Sequence, residues 1–333
     1  MVETSLWVLG IVVFLALAFD FINGFHDTAN AIATSVSTRA LPPRTAILMA
    51  AVMNFVGAIT FTGVAKTIGG SVADPTKLDN GIQIVIATLI AAIIWNLATW
   101  LFGIPSSSSH ALIGALAGAV LVGAGSDSVN WSGFGTIVEG LLLSPLIAFV
   151  MGFIVMYILK WIFAKRSPHT VNKGFRTMQI LTAALQSFSH GTNDAQKAMG
   201  IITFALVAAG VQDHLEVPLW VKISAATAMA LGTSVGGWKI IKTMGTKIFK
   251  IEPINGFAAD ATSATVIFTA TLTHLPVSTT HAVTSAILGV GAAKRFREVK
   301  WGLAGRIVIA WIVTIPVAAG LSGLIYLLLF KLF

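Results

Sequence analysis

The sequence contains no cysteine and little charge: of 333 residues only 10% are Asp, Glu, Lys or Arg. The first absence excludes disulfides, thiolate metal sites and thiol nucleophiles. The second excludes an ordinary soluble domain, whose charged fraction is about 25%. No G-x-x-x-x-G-K-[ST] motif occurs, so the chain offers no nucleotide-phosphate loop. No Lys or Arg precedes Arg39. A secretory leader begins with basic residues, so Met1 to Ile22 reads as a retained span.

What is present is apolar. Hydrophobic residues make up 56% of the chain and the mean hydropathy is +0.87. Apolar runs of about 18 residues or more recur, each long enough to cross a bilayer. The net charge of +8 lies in short loops between these runs. That is a topology signal, and it argues against a nucleic-acid partner. The expected fold is an all-α polytopic membrane protein of about 10–12 transmembrane segments, some broken or re-entrant.

The chain repeats itself. NGFHDTANAIA at 23–33 aligns without gaps with HGTNDAQKAMG at 190–200, pairing Asp27 with Asp194. IPSSSSHA at 104–111 aligns with LPVSTTHA at 275–282, pairing His110 with His281. A weaker echo joins KTIG at 66–69 to KTMG at 242–245. Three matches in one order argue for a duplication, with residues 1–159 and 177–333 as the repeats and 160–176 as a basic linker. Apolar segments fall near 5–38, 45–65, 82–103, 109–124 and 138–162, then 177–210, 221–239, 255–274, 281–293 and 303–331. The first segment of each half would be about 51 Å long as one helix, against a hydrocarbon core of about 30 Å. Each is therefore expected to break at its Asp motif. The fourth segments are short and follow a Pro and a hydroxyl run, which predicts helices that start inside the membrane, within a re-entrant hairpin.

Loop charges set the orientation. Arg39 and Arg44, the basic 160–176 linker, Lys242 to Lys250 and Lys294 to Lys300 predict cytoplasmic loops. The segments 125–137 and 211–220 carry only acids and are expected outside. Equivalent loops thus have opposite sign in the two halves, so the repeats are expected to be inverted, with both termini outside and a substrate site between them.

Asp27 and Asp194 sit deep in apolar segments, where a carboxylate costs about 2.5–3.5 kcal/mol. Helix capping would explain each alone. Ligation of a hard cation or carriage of a proton explains both, with Asn23 beside Asp27 and Asn193 beside Asp194. Asn96 and Asp20 are further polar candidates within spans. Ser106 to Ser109 and Ser278 to Thr280 cluster at helix starts, where free N–H groups and the positive dipole end favour an anion; plain capping is the alternative. His26 and His190 could titrate near neutrality, while His110 and His281 read as structural donors. Lys197 stands where the first half has Asn30, as a fixed charge, a proton carrier or a salt-bridge partner of Asp194. The pairs Gly114/Gly118 and Gly232/Gly236 read as helix-packing motifs.

At NGFHDTANAIATSVSTRA, SHGTNDAQKAMG and the two P-x-[ST]-[ST]-[ST]-H segments, the sequence resembles the inorganic phosphate transporter (PiT) family, bacterial branch, over essentially the whole chain. The resemblance implies import of inorganic phosphate coupled to sodium or protons, through an inverted-repeat fold whose signature segments include both Asp residues. It implies a transporter rather than an enzyme, with no cofactor and with sodium ions as co-substrate. On this reading Asp27 with Asn23, and Asp194 with Asn193, hold sodium. Ser107, Ser108, Ser109, Ser278, Thr279 and Thr280, with Thr28 and Asn193, hold phosphate. The expected setting is the plasma (inner) membrane, and a homodimer is compatible with the sequence. Where the family pattern is near G-x-N-D-x-x-N, this chain has His26 in the first copy and Lys197 in the second, so the two cation sites are not expected to be identical. The rivals are a proton-coupled or metal-phosphate symporter, an intramembrane Ser/His/Asp hydrolase and an anion channel.

Overall fold

A computed structural model describes residues 6–330, so the expected positions of the extreme termini lie outside the described residues. Twelve α-helices and no strand occur among the described residues. They are α1 (Leu6–Ser37), α2 (Pro43–Thr60), α3 (Gly63–Ser71), α4 (Gly81–Phe102), α5 (Ser108–Ala124) and α6 (Trp131–Ile162), then α7 (Pro168–Ala208), α8 (Leu219–Val235), α9 (Trp238–Lys242), α10 (Pro253–Leu272), α11 (Thr279–Arg295) and α12 (Trp301–Phe330). A single π-turn, Thr243–Lys247, extends α9.

Five helices (α1, α2, α4, α6 and α12) are long and apolar enough to cross a membrane. Their exposed faces carry large apolar side chains such as Leu146 and Ile154 on α6 and Ile309 and Ile312 on α12. Their buried faces carry small or polar residues, including Ser144 and Ser322. A soluble protein arranges these classes the other way round, so this is a multi-pass membrane protein.

Helices that carry the repeated motifs pack across the middle of the chain. Helix α1 packs on α8 and α7 on α2; α5 packs on α12 and α11 on α6. Each half thus completes the other. Glycine allows the closest of these approaches: a Cβ at Gly24 or Gly232 would meet the facing helix backbone between α1 and α8, and one at Gly191 would meet Asn54 on α2. Gly114 and Gly118 lie against Ile315 and Ala319 of α12 in the same manner. Of the second expected pair, only Gly232 packs. Gly236 instead ends α8 at φ +78°, a left-handed conformation that favours glycine.

Neither long helix breaks at its Asp motif. Helices α1 and α7 run unbroken for 32 and 41 residues. The glycines expected to interrupt them serve helix contact, and the polar side chains meet partners on neighbouring helices, so no backbone unwinding is needed. Helix α7 also begins at Pro168, inside the basic 160–176 segment, whose non-helical part is 163–167.

Real breaks occur at the hydroxyl runs. Helix α4 ends at Gly103 (φ +65°), and the backbone stays non-helical to Ser107 before α5 begins. Helix α10 ends before His274 (φ +58°), and the backbone stays non-helical to Ser278 before α11. We refer to 103–107 and 274–278 as straps. Their inner ends are buried, so their backbone groups require protein partners. Trp311 Nε1 donates to Pro105 O at 3.1 Å, and Ser109 Oγ donates to Val277 O at 2.8 Å.

The glycine contacts yield a paired expectation. Gly191→Ala would force α2 and α7 apart and is expected to cost about 1–3 kcal/mol, the usual range for overpacking. Gly320→Ala, with nothing within 4 Å of its added Cβ, should be neutral or mildly stabilising. Melting temperatures of the two purified variants would decide, and equal values would refute the packing role of Gly191.

Candidate functional site

Polar residues recur at helical spacing along two otherwise apolar helices: Asp20, Asn23, Asp27, Asn30 and Thr34 on α1, and Gln179, Gln186, His190, Asp194 and Lys197 on α7. Intervals of three, four or seven residues place each series on one face, and all ten are buried. The two stripes meet near the middle of the protein. Donor atoms of Asp27, His190 and Asp194 lie within 4.8 Å of one another, a geometry that could hold a cation.

Around Asp194 the compensation is largely built in. Lys197 Nζ is 2.9 Å from Asp194 Oδ1 and donates to Ser108 Oγ at 2.7 Å. Asn23 Nδ2 donates to Asp194 Oδ2 at 3.1 Å from the opposite half. His190 Nε2 stands 3.4 Å from the same oxygen, while its Nδ1 pairs with Asn54 Oδ1 at 3.1 Å. Around Asp27 the partners differ. His26 Nδ1 lies 2.6 Å from Asp27 Oδ1, and His26 Nε2 lies 3.1 Å from Thr99 Oγ1. Thr280 Oγ1 donates to Asp27 Oδ2 at 3.3 Å. Asn30 occupies the position equivalent to Lys197, and its amide donates to Thr280 at 3.0 Å and Thr279 at 3.4 Å. Both i+3 residues thus reach the hydroxyl helix of the other half, one as an ammonium and one as an amide.

The hydroxyl clusters converge as well. His110 and His281, which follow them, have ring centroids 4.4 Å apart, and His281 stacks on Trp311 at 3.9 Å. The N-terminal ends of α5 and α11 therefore face the same region. Two positive dipole ends and their hydroxyl donors gathered in a water-poor core suit an anion. Ser107, Ser108, Ser109, Ser278, Thr279 and Thr280 are each 1% exposed, so the region is closed to both faces.

Some expected roles move. Asn23 pairs with Asp194, not with Asp27, because α1 presents its amide to α7. Asn193 is one residue from Asp194 and so points about 100° away around the helix; its amide holds Thr271 Oγ1 at 3.2 Å and Leu275 O at 3.4 Å, bracing the second strap. The Thr28 hydroxyl donates to Gly24 O of its own helix at 2.8 Å and to Thr233 O of α8 at 3.3 Å, not to the hydroxyl clusters. Ser107 and Ser278 cap their helices, accepting from the backbone N–H of His110 and His281. That is the plain capping alternative realised at one residue of each cluster, with Ser108, Ser109, Thr279 and Thr280 following inside the helices.

The structure adds residues that single motifs do not reveal. Asp260 on α10 is buried, accepting from Thr34 Oγ1 at 2.6 Å and Gln179 Nε2 at 3.4 Å. Gln186 links Asn30 O at 3.3 Å to Ser263 at 2.9 Å. Asp20 and Asn96, already candidates from the sequence, are buried, and neither the carboxylate oxygens of the one nor the amide atoms of the other have a hydrogen-bond partner among the described residues. The polar stripe along α7 was the available signal for Gln179 and Gln186; Asp260 lies outside both duplicated motifs.

Comparison with known proteins fits this chemistry. The model of the phosphate transporter family matches residues 23–322. The chain belongs to that family. A probable low-affinity inorganic phosphate transporter of Bacillus subtilis (strain 168) is 60% identical over 324 residues, 97% of each chain. A protein of the same description from Rhizobium meliloti (strain 1021) is 48% identical over 94% of this chain and 93% of its own. Among solved structures, one described as the sodium-dependent phosphate transporter matches with a TM-score of 0.86 at 28% identity, over 98% of this chain and 100% of that one. These family members are named as transporters, not enzymes.

Asp194 and Lys197 should behave as a coupled pair. Asp194→Asn strands a buried ammonium and Lys197→Met a buried carboxylate, each costing about 3–5 kcal/mol. The double variant removes both charges and is expected to regain much of that loss. A double-mutant cycle of melting temperatures tests this; strictly additive losses would show that the pair is not coupled.

Proposed function

We propose that this member of the phosphate transporter family is a secondary active symporter that imports inorganic phosphate together with sodium ions. The observation that carries this reading is the convergence, in one closed core, of Asp27 and Asp194 with the hydroxyl-bearing N-termini of α5 and α11. Divalent phosphate cannot enter such an interior uncompensated. Two carboxylates alone would repel it; two carboxylates with bound cations would receive it. Sodium sits at Asp27 and Asp194, with Asn23 oriented by Asp194. Phosphate lies against Ser108, Ser109, Thr279 and Thr280, whose helix starts are closed by Ser107 and Ser278. The similar solved structure, described as the sodium-dependent phosphate transporter, supports the choice of cation.

Transport proceeds by alternating access, one half rocking against the other around the central site, as expected for inverted repeats. The cross-half contacts, Asn30 with Thr280 and Lys197 with Ser108, are the ones this motion must rearrange. The setting of this reading is the plasma membrane, and the loop charges support an orientation with the basic loops inside. Each net charge moved responds to voltage by about 2.3 kcal/mol per 100 mV, so two sodium ions per divalent phosphate would be electroneutral and three electrogenic.

Proton coupling is the second reading, and the 2.6 Å pair of His26 and Asp27 favours it. Phosphate uptake into proteoliposomes separates the two. Sodium coupling predicts concentrative uptake under an inward sodium gradient at clamped pH and voltage, and none with choline. Uptake indifferent to sodium but driven by an inward proton gradient would replace it with the second reading. Asp27→Asn is expected to lower coupled uptake about 30-fold, the equivalent of about 2 kcal/mol from one charge-assisted ligand. Unchanged uptake in that variant would remove Asp27 from the mechanism.

A further inference from the structure

The KTIG and KTMG motifs have no part in the central site, yet they occupy matching places. Thr67 Oγ1 donates to His274 O at 2.8 Å, and Thr243 Oγ1 donates to Gly103 O at 3.2 Å. Each threonine therefore fastens the first residue of the other half's strap, and both fastened residues are in the left-handed conformation. A cleft opens at each of these places. One, of about 590 Å³, is lined by Lys66, Thr67 and His274; the other, of about 300 Å³, by Thr243, Lys247 and Arg306. Among the described residues, no carboxylate lines either cleft. Lys66 has one acid within reach, Glu216 at 3.9 Å, and that side chain is 81% exposed.

The two clefts lie at opposite ends of α10. Lys247 is six residues before that helix begins and His274 two residues after it ends, and its 20 residues span about 30 Å. Each cleft is lined by the outer part of a strap, His274 in one and Gly103 to Pro105 in the other, and the inner end of each strap carries a hydroxyl cluster, at Ser278 and Ser107. The central site is closed to both faces, so an arriving anion has to stop before a strap yields. Cationic and hydroxyl groups around a recess, with no lining acid, form a surface that concentrates an oxyanion.

We propose that the two clefts are antechambers for inorganic phosphate, one on each face, with Lys66 and His274 receiving it on one side and Lys247 and Arg306 on the other. The proposal rests on the phosphate-transport reading and adds two sites to it. The straps then act as twin doors, each hinged at a threonine of the opposite half. Because the charges sit at the rim, they set capture and release on their own face and leave the central site and its cation requirement unchanged.

The test is radiolabelled phosphate exchange in proteoliposomes of uniform orientation, with concentration varied separately on each side. Lys66→Gln is expected to raise the half-saturating concentration about threefold on its own face only, the size of one partly screened charge. The Lys247→Gln/Arg306→Gln pair should do so only on the opposite face. Maximal rate and sodium dependence should hold in each, and added salt should shrink the difference from wild type. Lys66→Arg should retain wild-type capture. Glu216→Gln, which frees Lys66 without touching the cleft, should lower the half-saturating concentration on the same face. Equal shifts on both faces, or no shift in any of these variants, would overturn the antechambers while leaving central transport in place. Absence of exchange by wild-type protein would instead remove the transport reading itself.

Discussion

Asp194 ties the two halves together. One oxygen takes the ammonium of Lys197, which reaches on to Ser108; the other takes the amide of Asn23. Ser108 and Asn23 belong to the first half, Asp194 and Lys197 to the second. A charged carboxylate buried in an apolar bundle is costly unless such partners surround it, so this ion pair favours an arrangement in which these helices adjoin. Helix α7 accordingly lies against both α1 and the start of α5. The straps, the crossed packing of α1 on α8 and α7 on α2, and the meeting of the two histidines all accommodate that arrangement.

The departure from symmetry at this point carries chemical weight. Asn30 and Lys197 occupy equivalent positions and make equivalent contacts, but one brings a charge and the other does not. The second-half carboxylate is therefore neutralised by the protein itself, whereas Asp27 has a histidine and a threonine hydroxyl. On the symport reading, Asp27 is the carboxylate that most needs an exchangeable cation.

Much of this was readable from the residues. The duplicated motifs located both carboxylates and both hydroxyl helices, and the ten apolar runs located ten of the twelve described helices, though α6 and α7 begin earlier, α2 ends earlier, and the short helices α3 and α9 had no run of their own. The breaks at the Asp motifs were misplaced. An Asp in an apolar run looks like an interruption when the run is read alone; its partners come from other segments, so the helix has no reason to unwind. The same limit explains Asn23, Asn193 and Thr28. Adjacency in sequence suggested shared ligation, but helical rotation sends Asn193 toward a strap and Thr28 toward α8. Asp260 escaped because it has no counterpart in the other half, and its partners Thr34 and Gln179 lie far away in the chain.

The crossed contacts also make the two halves mutually dependent. Asp27 meets the threonines of α11, and Lys197 meets the serine of α5. Within one half, the acid helix and the hydroxyl helix do not complete each other; each finishes the counterpart in the other copy. Severed between α6 and α7, neither piece would hold all the partners of its own buried polar stripe: the first would lose Asp194 for Asn23 and Thr280 for Asn30, the second Ser108 for Lys197.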